Sequence, residues 1–384
     1  MKIAYFTESL PPNTDGVVKT LCRLVDSLES EKVDYTFFSP VKPSASYPWT
    51  HRVKKIFSIP FFLYKDYKMA LPYFHGIEAT LDQFKPDLIH IVSPTFLGLY
   101  GLNYARKRFI PAVSSYHTHF VSYFSYFGLQ NFEKLGWDFL QWFHNRCEAT
   151  YAPSPSAVQE LVSKGIQSVE LWQRGIETDL FSPNFRSEEL RASIGAADIP
   201  ILLFVGRLIS HKDLNDLVDA HQILKQKGHR FKTVLIGDGP MREELQEKLP
   251  DAHFTGFQYG CDLSKWYASA DIFAFPSTTE TFGNVILEAF ASGIPAVGVK
   301  KGGVADLIHH GRDGLLAEPH SPIDFADKLE TLITQPDYMK QLGAEARESA
   351  SHFSWQAINS KLLTSYQTVV DRSVWMRSMH MFRN

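Results

Sequence analysis

The sequence predicts an α/β protein built from two doubly wound, Rossmann-like domains that face each other across a cleft. Three observations lead there. Short β-rich apolar runs alternate with helical stretches from one end of the chain to the other, the pattern of parallel sheets covered by helices. These runs fall into two successive sets of about five. At 384 residues the chain also exceeds what one ordinary core organises.

In the first half the strands are expected at Lys2–Phe6, Val33–Ser39, Asp87–Val92, Ala112–Tyr116 and Thr150–Pro153. In the second half they are expected at Ile201–Val205, Thr233–Ile236, Ala252–Thr255, Ile272–Phe275 and Ala296–Val299. Helices fill the intervals. Asp213–Lys227, for example, carries Leu214, Leu217, Val218 and Leu224 along one face. The domain boundary is expected within 174–200, where Gly175, Pro183, Asn184, Gly195 and Pro200 interrupt any long apolar run. This gives a first domain at residues 1–176 and a second at 177–356.

Composition excludes several classes of protein. An apolar share of 44% and a charged share of 21% are those of a globular protein, and a net charge of -3 gives no footing to nucleic-acid binding. Cys22, Cys147 and Cys261 lie far apart, in no disulfide or metal-binding pattern. Glu8 cuts the first apolar run too short for a signal peptide, and no stretch reaches the ~20 apolar residues that span a bilayer. The expected location is the cytoplasm, with room for peripheral attachment to the inner membrane face.

Four stretches carry chemistry. In the first, the strand Ile272–Phe275 runs into Pro276-Ser277-Thr278-Thr279-Glu280-Thr281-Phe282-Gly283-Asn284, which opens a helix containing Glu288. Backbone N–H groups at Phe282, Gly283 and Asn284 would face a diphosphate there. Glu280 and Glu288 suit sugar and ribose hydroxyls, although a helix cap and a solvated helix residue account for them as well. In the second, Gly206-Arg207-Leu208-Ile209-Ser210-His211-Lys212 brings two cations to the carboxyl end of a strand, where open α/β sheets bind ligands. Arg207 can clasp a phosphate with its fork and Lys212 can add a point charge; two solvated loop cations are the alternative. Third, Gly16 sits at the first strand-to-helix loop, as a close approach to ligand or a plain turn. Fourth, Ser115-Tyr116-His117-Thr118-His119 follows a strand. No Asp, Glu or Cys nearby completes a metal site, so His117 reads as a polar sugar contact or a structural group. Gly237-Asp238-Gly239 lacks the third glycine of a dinucleotide fingerprint, because Arg242 stands in its place.

Taken in order, Gly16, Tyr116-His117-Thr118, Gly206-Arg207-Leu208 with Lys212, Ile236-Gly237-Asp238-Gly239-Pro240, and Glu280 with Glu288 resemble glycosyltransferase family 4, whose architecture is GT-B. The resemblance covers nearly the whole chain. It implies that Glu280 holds the donor sugar, Glu288 the ribose, Arg207 and Lys212 the diphosphate, with Gly16 beneath it and His117 on the sugar. It also implies that the last helix, at residues 357–384, crosses back onto the first domain. The activity implied is retaining transfer of a hexose from a UDP-sugar or GDP-mannose to an acceptor hydroxyl. The Phe6-Thr7-Glu8-Ser9 start and Ser277-Thr278-Thr279-Glu280-Thr281 look like the members that glycosylate membrane lipids, among them sulfoquinovosyl, glucosyl-diacylglycerol and mannosyl-lipid transferases.

No Asp-x-Asp motif occurs, so no metal and no cofactor is expected, and the cations and helix N-terminus would stabilise the departing diphosphate. A GT-B nucleotide-sugar epimerase and a non-catalytic sugar-nucleotide-binding subunit are the alternatives. On the acceptor side, residues 42–110 hold ten Lys or Arg against four acids. Tyr47, Trp49, Phe57, Phe61, Phe62, Tyr64 and Tyr67 are interleaved with them. Such a mixture suits an anionic membrane surface, a domain core or a substrate groove.

Overall fold

The computed structural model describes residues 1–13, 15–61, 64–72, 76–117 and 132–381. The chain forms two compact units. One comprises Met1–Gln173 with Gln356–Asn384, and the other is Arg174–Trp355.

The first unit contains strands β1 (Lys2–Phe6), β2 (Asp34–Ser39), β3 (Val53–Lys55), β4 (Ser58–Phe61), β5 (Tyr64–Ala70), β6 (Leu88–Ile91), β7 (Ala112–Ser115), β8 (Ala149–Ala152) and β9 (Val169–Leu171). Seven of them form a sheet in the order β3-β2-β1-β6-β7-β8-β9. Every pairing in that sheet is parallel, while β4 and β5 form a separate antiparallel hairpin. The pleat of β1 explains how one strand serves two cores. Ile3 and Tyr5 pack on one face with Leu21, Leu24 and Leu28 of the helix Gly16–Ser30. Ala4 and Phe6 pack on the other with Leu97 and Leu102 of the helix Phe96–Arg108. Each fully buried large apolar side chain contributes about 1.5–3 kcal/mol.

The helix Trp355–Met381 comes last in sequence, yet its first half fills the core of the first unit. Leu362, Tyr366 and Val369 are buried there. Asn359 accepts a hydrogen bond from Trp172 Nε1 and donates to Arg23 O and Ser27 Oγ. Tyr366 meets the ring of His90, which burial holds neutral with its pKa lowered to about 3.

The second unit contains β10 (Ile201–Val205), β11 (Lys232–Ile236), β12 (His253–Gly256), β13 (Ile272–Ala274), β14 (Ala296–Val299) and β15 (Gly314–Ala317). They form one parallel sheet in the order β12-β11-β10-β13-β14-β15. This is the strand order of a dinucleotide-binding Rossmann sheet, and its direction of winding reverses between β10 and β13.

Strands β3, β9 and β15 and the β4–β5 hairpin add to the expected set. The first two lie at the sheet's edges, are three residues long and carry charge in Lys54, Lys55 and Glu170, so they show neither apolar run nor alternation.

Candidate functional site

In a doubly wound sheet the crevice lies at the carboxyl ends of the two strands where winding reverses. In the second unit these strands are β10 and β13. The loop after β10 carries Arg207, His211, Lys212 and Asp213, and the loop after β13 carries Ser277 to Gly283. The two are stitched together. Asp213 Oδ2 accepts from both the backbone N–H and the hydroxyl of Thr278, each at 2.8 Å. Thr279 donates to His211 O at 2.9 Å. Lys212 Nζ donates to Glu280 Oε1, which also accepts from Ser277 Oγ at 3.2 Å. Both side chains of that ion pair are largely buried, at 19% and 17% exposed. Burial, followed by the charge of Lys212, holds the His211 imidazole below its usual pKa. Arg207 is exposed on the same loop.

The helix Asn284–Ala291 starts directly after this clip. Gly283 is its N-cap, in the left-handed region at φ 100°, and no side chain caps the helix. A third loop closes on the same backbone. A Cβ at Gly303 would fall 2.5 Å from Phe282 N, and the Gly303 N–H donates to Glu280 O at 2.9 Å. Any other residue at 303 would push this loop off. Asn284 Oδ1 is buried and has no hydrogen-bond partner among the described residues.

Glu288 is not a solvated helix residue, one of the readings its position allowed. It is 4% exposed, and its carboxylate accepts from the buried Tyr267 hydroxyl at 2.9 Å. Tyr267, Asp213 and Gly303 are contributors that the sequence did not single out. The Gly302-Gly303 pair after β14 was the one signal available for the third loop, and Tyr267 has none in the helix Gly260–Ser269.

Gly16 and His117 belong to the other unit. Gly16 is the first residue of its helix, capped by Asp15, whose Oδ1 accepts from Val18 N at 2.9 Å. His117 lies just past β7 with its ring 5.5 Å from that of Trp172. The second-unit set (Arg207, Lys212, Glu280, Phe282, Gly283, Asn284 and Glu288) is assembled around one switch point, and Gly16 and His117 stand at the sheet of the first.

Glu8, two residues past β1, is 3% exposed and accepts a hydrogen bond from Thr95. Burial raises its pKa to about 7, against the lowering effects of Thr95 and its own backbone. The folded state therefore favours the neutral carboxyl. Its contribution to stability is full below the unfolded value near 4.5, declines as pH rises, and is lost once pH passes about 7. Urea unfolding at pH 5 and pH 8 should show wild type losing about 2–3 kcal/mol more than Glu8→Gln across that interval. Equal losses would contradict the burial of this carboxyl.

The basic, ring-rich segment is only partly outward. Arg52 is folded in: it bonds to Asp34 at 2.6 Å and stacks over Tyr35 at 4.6 Å. Trp49 is buried, with Tyr47 packed on its edge. Lys54, Lys55 and Phe57 are exposed. The side chains of Phe61, Phe62, Tyr64 and Tyr67, and residues 118–131, lie outside the described residues. A different surface also exposes apolar side chains. On and just before the helix Glu133–His144, Phe132, Leu135, Phe139 and Trp142 recur at helical spacing, 51%, 64%, 37% and 42% exposed. Arg146 lies over Trp142 at 4.3 Å. Among the described residues no helix is long and apolar enough to cross a membrane.

Comparison with known proteins agrees with this geometry. The model for "Glycosyltransferase Family 4" matches residues 14–180, and that for "Glycosyl transferases group 1" matches residues 199–335. A GDP-mannose-dependent alpha-mannosyltransferase of Corynebacterium glutamicum is 32% identical, over 96% of this chain and 89% of its own. An alpha-monoglucosyldiacylglycerol synthase of Streptococcus pneumoniae is 28% identical, over 88% of this chain and 79% of its own. Among solved structures, Anabaena HepE in complex with UDP and glucose superposes with a TM-score of 0.75 at 22% identity, covering 96% of this chain and 99% of that one. With two Rossmann-like units and family relatives aligned along nearly its whole length, the chain belongs to glycosyltransferase family 4 and has the GT-B fold.

Proposed function

We propose that the protein transfers a hexose, with retention of configuration, from a nucleotide diphosphate sugar to a hydroxyl of a membrane lipid or glycolipid. The observation that carries this reading is the Lys212–Glu280 ion pair, set beside Arg207 and an uncapped helix N-terminus at the switch point of the second sheet. Cleavage of the donor bond leaves negative charge on the departing diphosphate. Lys212, held by Glu280, and the N–H groups at Phe282, Gly283 and Asn284 stand ready to stabilise it, and Arg207 on the same loop adds a second cation. Glu280 takes the sugar hydroxyls and steadies Lys212. Glu288, held by Tyr267, takes the ribose. In the first unit, Gly16 at the start of the helix after β1 and His117 just past β7 are the ligand contacts proposed there.

Glu280 is the one carboxylate of its own loop, and Asp213, which reaches that loop from the other side, is taken up by Thr278, so a double displacement of the kind retaining hydrolases use has no free nucleophile there. The acceptor hydroxyl attacks from the leaving-group face and passes its proton to the departing phosphate. Cations and helix N-terminus take a metal's place, so chelation with EDTA should leave turnover within about twofold. Complete loss, restored by divalent metal, would contradict the charge roles assigned to Arg207 and Lys212.

The reaction is tested by incubation with UDP-glucose and GDP-mannose and NMR of the product. An α-linked product from an α-linked donor supports the reading, and an inverted product contradicts it.

The lipid acceptor is supported by the named diacylglycerol relative and by the exposed stripe Phe132, Leu135, Phe139 and Trp142. A cytoplasmic protein would lay such a face into the headgroup boundary while Lys54 and Lys55 add electrostatic attraction, about 1 kcal/mol for each basic residue near an anionic surface. The protein should float with anionic vesicles. Phe139→Glu with Trp142→Glu should abolish flotation, and Lys54→Glu with Lys55→Glu should weaken it most at low salt. Failure of wild type to float, together with efficient use of a water-soluble acceptor, would contradict the lipid reading.

A further inference from the structure

We propose that Glu8 and Thr95 form the site in the first unit that binds an acceptor hydroxyl, a proposal that rests on the transferase reading above. Four observations lead to it. The first is topology. The sheet order β3-β2-β1-β6-β7-β8-β9 reverses between β1 and β6, and the helices that follow these two strands pack on opposite faces of the sheet. The crevice of this unit therefore opens at the carboxyl ends of β1 and β6, as that of the second unit opens at β10 and β13. Glu8 follows β1 and Thr95 follows β6, and across that point their side chains meet.

The second observation is an incomplete carboxyl. Glu8 is 3% exposed, and while Oε1 accepts from Thr95, Oε2 is buried with no hydrogen-bond partner among the described residues. Buried polar atoms are nearly always paired, and those that are not concentrate where a ligand completes them. A neutral side chain would be cheaper here, so the carboxyl is kept at some expense of stability.

The third is the partner. Thr95 caps the thirteen-residue helix Phe96–Arg108, accepting from Gly98 N while donating to Glu8. The hydroxyl and the carboxyl are thus held in one arrangement. The fourth is the surroundings. Phe96, the next residue, is 50% exposed and offers an apolar neighbour to an otherwise polar pair.

The ligand class follows from the chemistry. An alcohol pairs with this carboxyl in either protonation state, donating to it when it is ionised and accepting from its O–H when it is neutral, whereas a phosphate or another carboxylate is repelled as soon as it ionises. The site suits a neutral hydroxyl, carried on a polyol or lipid headgroup.

The test measures acceptor KM for wild type, Glu8→Ala, Glu8→Gln and Thr95→Val. Dioctanoylglycerol and octyl glucoside in mixed micelles serve as acceptors, with GDP-mannose and UDP-glucose as donors. Calorimetry with GDP and UDP alone, and thermal melts, accompany each variant. Glu8→Ala should raise acceptor KM tenfold or more and Thr95→Val less. Glu8→Gln, which keeps an accepting oxygen, should fall between wild type and alanine. Nucleotide dissociation constants should stay within twofold. Folded Glu8 variants with unchanged acceptor KM overturn the proposal. So does a parallel rise in acceptor KM and nucleotide dissociation constant, the mark of a purely structural role. If wild type transfers sugar to neither acceptor while still binding nucleotide, the lipid-acceptor reading fails first and this site falls with it.

Discussion

Lys212→Ala is expected to lower turnover by roughly one to three orders of magnitude, the range seen when a preorganised charge contact to a developing anion is removed. The ammonium is held by Glu280, with side-chain exposure of only 19%. Its position therefore costs no reorganisation when the diphosphate departs. The variant should fold, because the loop keeps its backbone ties through Asp213, Thr278 and Thr279. It leaves Glu280 with Ser277 as its polar contact, so a modest fall in melting temperature is expected, and Lys212→Ala with Glu280→Gln should recover part of it. Arg207→Ala should lower turnover in the same range with less effect on melting, since Arg207 is exposed. Single-turnover rates at saturating donor give the direct comparison. Wild-type rates in both variants would remove the cations from the mechanism.

The two glutamates should separate cleanly. Glu288→Ala is expected to weaken binding of the free nucleotide about ten- to a hundredfold, the loss of a charged hydrogen bond worth about 1.5–3 kcal/mol. The effect is large because the carboxylate is buried and oriented by Tyr267. Tyr267→Phe removes that orientation without touching ligand and should cost less. Glu280→Ala should leave nucleotide affinity within about threefold and instead raise the KM for the intact sugar donor. Calorimetry with nucleotide alone distinguishes them, and equal losses would mean that the roles are exchanged or shared.

The sequence made the sheets legible because buried parallel strands are continuous apolar runs. Ile201–Val205 and Ala296–Val299 sit where their composition puts them. The strand order was not legible, since the apolar runs of β10 and β13 carry no mark of which strand each will pair with. At the site, Arg207, Lys212, Glu280 and the Phe282-Gly283-Asn284 turn were visible because each lies in a strand-to-helix loop. What could not be seen was the tying of those loops to each other. Asp213 looked like an ordinary start to the helix Leu214–Gln226, yet it bonds the opposite loop from a left-handed position at φ 53°. Tyr267 was invisible for another reason: a tyrosine in an amphipathic helix is ordinarily core, and only the fold shows which carboxylate its hydroxyl meets. Burial misled in one direction too. Arg52 reads as a surface cation by type, but it is clasped by Asp34 and Tyr35.

The central claim, that the switch point of the second unit binds a nucleotide diphosphate, is tested most directly by thermal melts with UDP, GDP and ADP on wild type and Glu288→Ala. A ligand bound only by the native state raises the melting temperature by mass action, about 2.7 kcal/mol of added stability at a hundred times its dissociation constant. Either UDP or GDP should produce a clear upward shift in wild type, and the same concentration should produce little or none in Glu288→Ala. No shift with any of the three, or equal shifts in wild type and Glu288→Ala, would contradict the account.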